Sequence, residues 1–317
     1  LPLILLNCTA YADWQFVTYD IPPIRSAGAR LTAFDDALWI FTFANDHYDG
    51  AVWQSADGHA WSQVSDTSFP GSRQEGYPVV VFQDKLWMLL NDSVWRSTNG
   101  AEWMQVSSEV PWIRHHSACA FDGRLWVVRP TEQFVGTYTS AEVCFSVDGV
   151  EWTLVSDEPA WATQDSYRRG RAYPWLFVHD GNMWLTGGSA AIDEDWSDID
   201  DVWYTSDGAN WTEASDTPPW AYRDKFVPVS FNGRIYVLGG YSSSLPLHDV
   251  WESEDGANWT QTVRYGGLPW EVQFRALGPV EHRGGIWFIA PEQQWGDLAL
   301  WFSSNPGEGE GEGEGEG

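Results

Sequence analysis

One short turn recurs along this chain and limits its fold more than any other feature. It reads Ser-Ala-Asp-Gly-His-Ala-Trp at Ser55–Trp61, Ser-Thr-Asn-Gly-Ala-Glu-Trp at Ser97–Trp103 and Ser-Val-Asp-Gly-Val-Glu-Trp at Ser146–Trp152. It returns as Thr-Ser-Asp-Gly-Ala-Asn-Trp at Thr205–Trp211 and Ser-Glu-Asp-Gly-Ala-Asn-Trp at Ser253–Trp259. Two residues before each copy stands Trp53, Trp95, Cys144, Trp203 or Trp251. A sixth, incomplete copy is Trp301-Phe302-Ser303-Ser304-Asn305. Asp-Gly or Asn-Gly between aromatic-rich segments is a strong hairpin signal, because a type I′ turn needs positive φ at two successive residues. A type I′ hairpin is therefore expected at each copy.

Upstream of each hairpin lies an apolar second strand: Leu38–Phe41, Leu86–Leu89, Leu125–Val128, Met183–Thr186, Ile235–Leu238 and Ile286–Ile289. A turn such as Asp122-Gly123, Asp180-Gly181 or Asn232-Gly233 precedes it. Before that turn comes a first strand such as Val79–Phe82, whose unbroken apolar character suits coverage on both faces. The stretch Val237–Trp259 displays the unit most clearly, from Gly239-Gly240 through Asp249-Val250-Trp251 and Asp255-Gly256 to the closing Trp259. The hairpin residues Trp53, Trp95, Cys144, Trp203, Trp251 and Trp301 are spaced by 42, 49, 59, 48 and 50 residues. Four short strands per roughly 50 residues mark a propeller blade. The expected fold is all-β: a six-bladed β-propeller of four-stranded antiparallel blades. The sixth unit lacks its last strand. Trp14-Gln15-Phe16-Val17 matches Trp61-Ser62-Gln63-Val64 and Trp103-Met104-Gln105-Val106, so residues 14–18 are expected to close the last blade and remove a free seam.

Composition excludes some partners. The 317 residues carry a net charge of −28, which repels nucleic acid and anionic membranes. The 23 Trp, 12 Tyr and 15 Phe supply core and strand formers. Cys119 and Cys144 fall on the first and third strands of the third unit, about 9–10 Å apart at two strand spacings and beyond disulfide reach, so both are expected as buried free thiols. Residues 1–12, an apolar run ending Ala10-Tyr11-Ala12, resemble the back half of a secretory signal peptide. The propeller is expected over residues 13–305. From Pro306 the Gly-Glu repeat (residues 306–317) is expected to be a disordered linker toward further domains or an anchor. The expected location is secreted, cell surface or periplasmic, without membrane insertion.

The repeat resembles the kelch repeat of the galactose-oxidase superfamily. The resemblance rests on Gly187-Gly188 and Gly239-Gly240, Tyr241, Asp201-Val202-Trp203 and Asp249-Val250-Trp251, and the closing Trp211 and Trp259. The turns also resemble the Asp-box of sialidase-type propellers, shortened by one residue. Kelch propellers include protein-binding scaffolds, copper oxidases and a sialic-acid mutarotase, so the likeness implies architecture and leaves function open.

One Arg precedes the first strand of each unit: Arg25, Arg73, Arg114, Arg171, Arg223 and Arg275. It lies 12 to 14 residues before the second-strand aromatic. This places the series at one mouth of the channel, each Arg either bonding to backbone carbonyls or an acidic residue of the neighbouring blade and so locking the ring, or helping to form a pocket for a carboxylate or uronic sugar. Like charges would repel there, so either carboxylates interleave or an anion is welcome. His115 beside Arg114, and Trp161 among the loop aromatics, extend the candidate ligand site. The longest connections, 44–50, 129–140, 157–170 and 189–200, are expected on that face with Tyr48, Phe134, Tyr138, Tyr167 and Trp196. The acidic stretch Asp193–Asp201 lacks an EF-hand pattern. The scattered His residues give no copper set. No metal or cofactor is expected. The leading reading is a secreted, non-catalytic binding module for a glycan or extracellular protein. The alternative is a carbohydrate-active enzyme, a sugar mutarotase or sialidase-like hydrolase, using the same face.

Overall fold

Short runs rich in Trp, Val, Leu and Ile, separated by Asp-Gly and Asn-Gly turns, form the strands. The computed structural model describes residues 13–22, 24, 29–43, 50–66, 77–112, 116–134, 137–163, 171–192, 195–242, 245–264, 268–270, 277–291 and 297–307. At 132–134, 137–139, 191–192, 195–197 and 277 the backbone alone is described. Strand β1 is Trp14–Thr18. Blade one holds β2 (Arg30–Phe34), β3 (Ala37–Thr42), β4 (Ala51–Ser55) and β5 (Ser62–Ser65). Blade two holds β6 (Val79–Phe82), β7 (Lys85–Leu89), β8 (Val94–Ser97) and β9 (Met104–Ser107). Blade three holds β10 (Ser117–Phe121), β11 (Arg124–Phe134), β12 (Thr137–Ser146) and β13 (Thr153–Ser156). Blade four holds β14 (Trp175–His179), β15 (Asn182–Thr186), then a ribbon of β16 (Ser189–Ile192) and β17 (Asp195–Asp198), then β18 (Val202–Thr205) and β19 (Thr212–Ser215). Blade five holds β20 (Val227–Phe231), β21 (Arg234–Leu238), a ribbon of β22 (Tyr241–Ser242) and β23 (Leu245–Pro246), then β24 (Val250–Ser253) and β25 (Thr260–Val263). Blade six holds β26 (Leu277–His282), β27 (Gly285–Pro291) and β28 (Leu298–Ser303).

The result is a six-bladed propeller of four-stranded antiparallel sheets. Its inner strands β2, β6, β10, β14, β20 and β26 each touch the next, and β26 returns to β2. The closure agrees with the sequence. Strand β1 is the outer strand of blade six, with Trp14 opposite Ser303 and Phe16 opposite Trp301. The 1→2 turns and the 3→4 turns lie on one face, here called the turn face. The 2→3 loops and 4→1 connections lie on the other, the loop face.

Apolar side chains gather in six clusters, one at each blade seam. The second strand is the more deeply covered: β3 is buried at every position, whereas β2 is covered fully only at Leu31. The expectation of two-sided cover for the first strand fails at β2 and β6, where alternate positions stay part-exposed or exposed, and holds at β20, which is buried at all but Ser230. Residues 129–134 and 137–140, expected in a loop, instead continue the paired strands β11 and β12.

The recurrent turn differs from its expected geometry. Positive φ at two successive residues occurs in the 1→2 turns, as at Asp122-Gly123 (47° and 69°) and Asn232-Gly233 (48° and 73°). In the Ser-x-Asp-Gly turns only the Gly has positive φ. There the Ser or Thr hydroxyl accepts from the Gly N–H, at 2.9 Å for Thr205 and Gly208. The Asp carboxylate accepts from two further N–H groups, at 2.9 and 2.8 Å for Asp207. The Asn210 backbone N–H above all, then its side chain, holds the Asp207 pKa down at about 2. The closing indole donates back to the Gly carbonyl, at 3.1 Å for Trp211 and Gly208. The turn is thus a self-bonded box, and two-residue hairpin geometry would leave its Asp without these donors.

Each box rests on the preceding blade. A Cβ on Gly100, Gly149, Gly208 or Gly256 would overlap the ring of Trp39, Trp87, Trp126 or Trp184, and Gly58 meets Trp287 in the same way. Those second-strand indoles are aimed by their own Nε1, which donates to the carbonyl five residues back. Pro306 is buried, and Gly307 lies against Tyr236 of blade five, so packed chain continues through Gly307. Cys119 and Cys144 are buried and unbridged. Burial pushes both thiols up, so neither is an active nucleophile at neutral pH.

Candidate binding face

Arg25, Arg73, Arg114, His115 and Arg275 lie outside the described residues, as do the side chains of Tyr48, Phe134, Tyr138, Tyr167 and Trp196. Arg171 and Arg223 are described, and both are buried. Arg223 makes a two-pronged pair with Asp249, at 2.7 and 3.1 Å, and donates to the Gly239 carbonyl at 2.8 Å. Asp249 also accepts from the Trp251 indole at 2.9 Å. Arg171 pairs with Asp201 through Nη2 in blade four, and its guanidinium lies 5.5 Å from the centre of the Trp161 ring. The partners are the Asp of each Asp-Val-Trp segment. A buried guanidinium needs a carboxylate to offset its lost hydration. These two arginines therefore tie the 4→1 connection of a blade to the 2→3 loop of the same blade, and not to a carboxylate of the neighbouring blade as the spacing suggested.

Trp161 is fully buried and meets Trp211 edge-on at 6.1 Å. Trp112 on Trp152, Trp220 on Trp259 and Trp270 on Trp14 repeat the arrangement. In blades three to six the incoming connection thus pins the outer-strand Trp of the blade that it enters. His116 is also buried, with Nε2 at 3.1 Å from the Leu89 carbonyl.

Around the two ion pairs, the chain presents side chains that the residue spacing did not single out. Tyr173, Trp175 and Tyr222 are 49%, 39% and 79% exposed. Tyr173, Tyr222 and Lys225 hold φ of 54°, 68° and 56°. Bulky residues rarely take that conformation, and each costs on the order of 1–3 kcal/mol there. Close backbone packing enforces it: Ala172 pairs with Ser189 and Asp224 with Tyr241 across each blade's rim. A Cβ on Gly188 or Gly240 would strike the Ala172 or Asp224 carbonyl, so this approach requires the Gly pairs.

Carboxylates stand beside these rings. Asp200 accepts from the Tyr222 N–H. Burial pushes its pKa up to about 6, the Tyr222 N–H opposing and the Asp198 charge adding. Asp198 is raised by burial and then by Asp224, with Lys225 opposing. Lys225 pairs with Asp224 at 2.6 Å, and its ammonium lies 5.1 Å from the centre of the Tyr241 ring. Rings, carboxylates and one ammonium on a shared rim suit stacking and hydrogen bonding to a polar ligand. Positive φ at Tyr173 and Tyr222 leaves no signature in a single sequence, which is why spacing favoured the arginines instead.

Residues 12–279, most of the chain, match the DUF6242 beta propeller domain. The chain belongs to that family. The match takes in β1, blades one to five and the start of β26. Comparison with curated proteins finds no match. No helix among the described residues of this DUF6242 propeller is long and apolar enough to cross a membrane. Among the described residues, no three His, Cys, Asp or Glu side chains are grouped to hold a metal ion.

Proposed function

We propose that this DUF6242 propeller is a secreted, non-catalytic binding module that takes an extracellular glycan on the loop face of blades four and five. The observation that carries the reading is the set of exposed rings, Tyr173, Trp175 and Tyr222, two of them on backbone that disfavours bulky residues. Strain of this kind gathers at ligand clamps. The commitment of Arg171 and Arg223 to Asp201 and Asp249 supports a ligand held by rings and carboxylates over one gripped by those guanidiniums. In this reading the blade-building parts are kelch-like, residues 1–12 are the end of a signal peptide, and the Gly-Glu tail is a linker toward another module.

A second reading has one observation in its favour. Asp200, raised to about 6, stands near the charge of Asp198, and a carboxylic acid poised close to neutrality is suited to general acid work on a glycoside. A glycan array with a parallel hydrolysis and mutarotation screen separates the two. In the binding reading, Tyr222→Ala with Trp175→Ala weakens glycan retention by at least about tenfold, as loss of stacked aromatic area implies, and no substrate turns over. Turnover by wild type that Asp200→Asn abolishes would replace binding with catalysis. Undiminished retention by the double variant would remove this rim from consideration.

A further inference from the structure

Two histidines end inner strands at equivalent places, His179 on β14 and His282 on β26. In blade four, His179 Nδ1 lies 3.0 Å from Ser230 Oγ, and its Nε2 lies 3.2 Å from the Glu254 carbonyl. Both partners belong to blade five, so that ring joins two blades. Around His282 the corresponding groups differ. The residue matching Ser230 in the next blade is Ala33: Ser230 pairs with Ile235, and Ala33 with Leu38, at the same step before the turn. The carbonyl matching Glu254 is that of Ala56, and Arg283 Nη1 occupies it at 2.7 Å. His282 is 9% exposed, and its Nε2 is buried without a hydrogen-bond partner.

This ring borders a cavity of about 510 Å³ on the turn face, between blades six, one and two. Ala33, Phe34 and Val81 give it an apolar wall, and Asp35, Asp36 and Asp84 give it an acidic rim. The volume suits a small molecule. Arg283 answers Asp36 through contacts at 2.9 and 2.7 Å. Asp35 and Asp84 have no ion pair among the described residues. Burial first, then the Arg283 charge, lowers the His282 pKa, with Asp36 opposing, so the ring is neutral at physiological pH and able to accept a hydrogen bond. The chain's net charge of −28 raises the local concentration of cations. The described carboxylates and imidazole do not form a three-ligand metal set. An organic cation fits better, because it can spread its donors across the rim and lay a stem on the wall.

We propose that this cavity is a second ligand site, on the face opposite the aromatic rim, that binds a small organic cation with a primary ammonium on a short apolar stem. The ammonium donates to Asp35, Asp84 and His282 Nε2, and the stem lies against Phe34 and Val81. The site is independent of the glycan reading.

Titration of the full chain with 1,5-diaminopentane, followed by calorimetry and by ¹⁵N resonances of the imidazoles, tests the assignment. Saturable one-site binding that shifts the His282 Nε2 resonance is expected. Asp84→Asn should weaken it by at least about tenfold, the scale of a lost charged hydrogen bond. Asn tolerates the φ of 54° at Asp84, so this variant keeps its turn. His282→Gln should also weaken binding. Asp180→Asn, on the equivalent turn of blade four, should leave it unchanged. Absence of saturation, equal affinity in Asp84→Asn, or an equal loss in Asp180→Asn would each overturn the proposal, the last by showing a diffuse field effect. Stoichiometric displacement of the diamine by calcium would overturn it in favour of a metal site.

Discussion

Arg223 shows what a charged side chain does inside a blade rim. Both Nη groups meet Asp249, one also meets the Gly239 carbonyl, and Nε donates to the Trp220 carbonyl. One side chain thus fastens the incoming connection to the end of β21 and the start of β24. Arg223→Ala would leave Asp249 buried with only the Trp251 and Gln261 donors. Breaking a buried pair from one side typically costs about 3–5 kcal/mol. Urea denaturation should show a loss of that size, and Arg223→Lys should recover only part of it, since an ammonium cannot reproduce the planar fork. A loss below about 1 kcal/mol would mean that the pair contributes little beyond a surface bridge. The arginine series was legible because its spacing from the second-strand aromatic is regular. Its partners were not, because Asp201 and Asp249 lie 30 and 26 residues downstream, where only the folded blade brings them back. The exposed rings of Tyr173 and Tyr222 were hidden for a different reason: their distinction is a backbone angle.

At the scale of the element, the boxes decide how blades adhere. Position and period of the Ser-x-Asp-Gly-x-x-Trp copies placed every blade correctly. The dipeptide does not fix their turn type, because Asp-Gly serves both a two-residue hairpin and a wider loop closed by its own side chains. The hydroxyl and the closing Trp, not the dipeptide, mark the second case. The interblade contact was legible only as a repeated Gly. In the structure, Gly208, at φ 76°, lies where a Cβ would overlap the Trp126 ring of blade three. Gly208→Ala therefore combines left-handed strain with overpacking, together roughly 2–4 kcal/mol. Trp126→Leu in that background should restore part of the loss by giving the methyl room. A double-mutant cycle by chemical denaturation reads this coupling directly, and additive effects would show that the two residues do not share the seam.

At the scale of the molecule, stability has no single centre. Six apolar clusters lie at six seams, so each blade depends on both neighbours and the ring depends on its last closure. That closure is β1, a strand contributed from the far end of the chain to β28. Trp14 carries much of it. It is buried, meets Trp270 edge-on at 5.2 Å and Phe288 at 6.3 Å, and occupies the place held by Trp211 and Trp259 in blades four and five. The incomplete sixth copy together with the early Trp-Gln-Phe-Val made this closure readable, because a missing strand and a surplus strand of one pattern have a single mutual solution. Removing residues 13–18 should do more than subtract one buried Trp, itself worth about 3–5 kcal/mol. It bares the β28 edge to pairing with other chains and leaves the seam between blades five and six open to water. Calorimetry should then show a lower midpoint and a transition no longer two-state, and light scattering should show association. A truncated chain that stays monomeric and melts once, at the same temperature, would mean that the remaining five full blades hold the ring without their clasp.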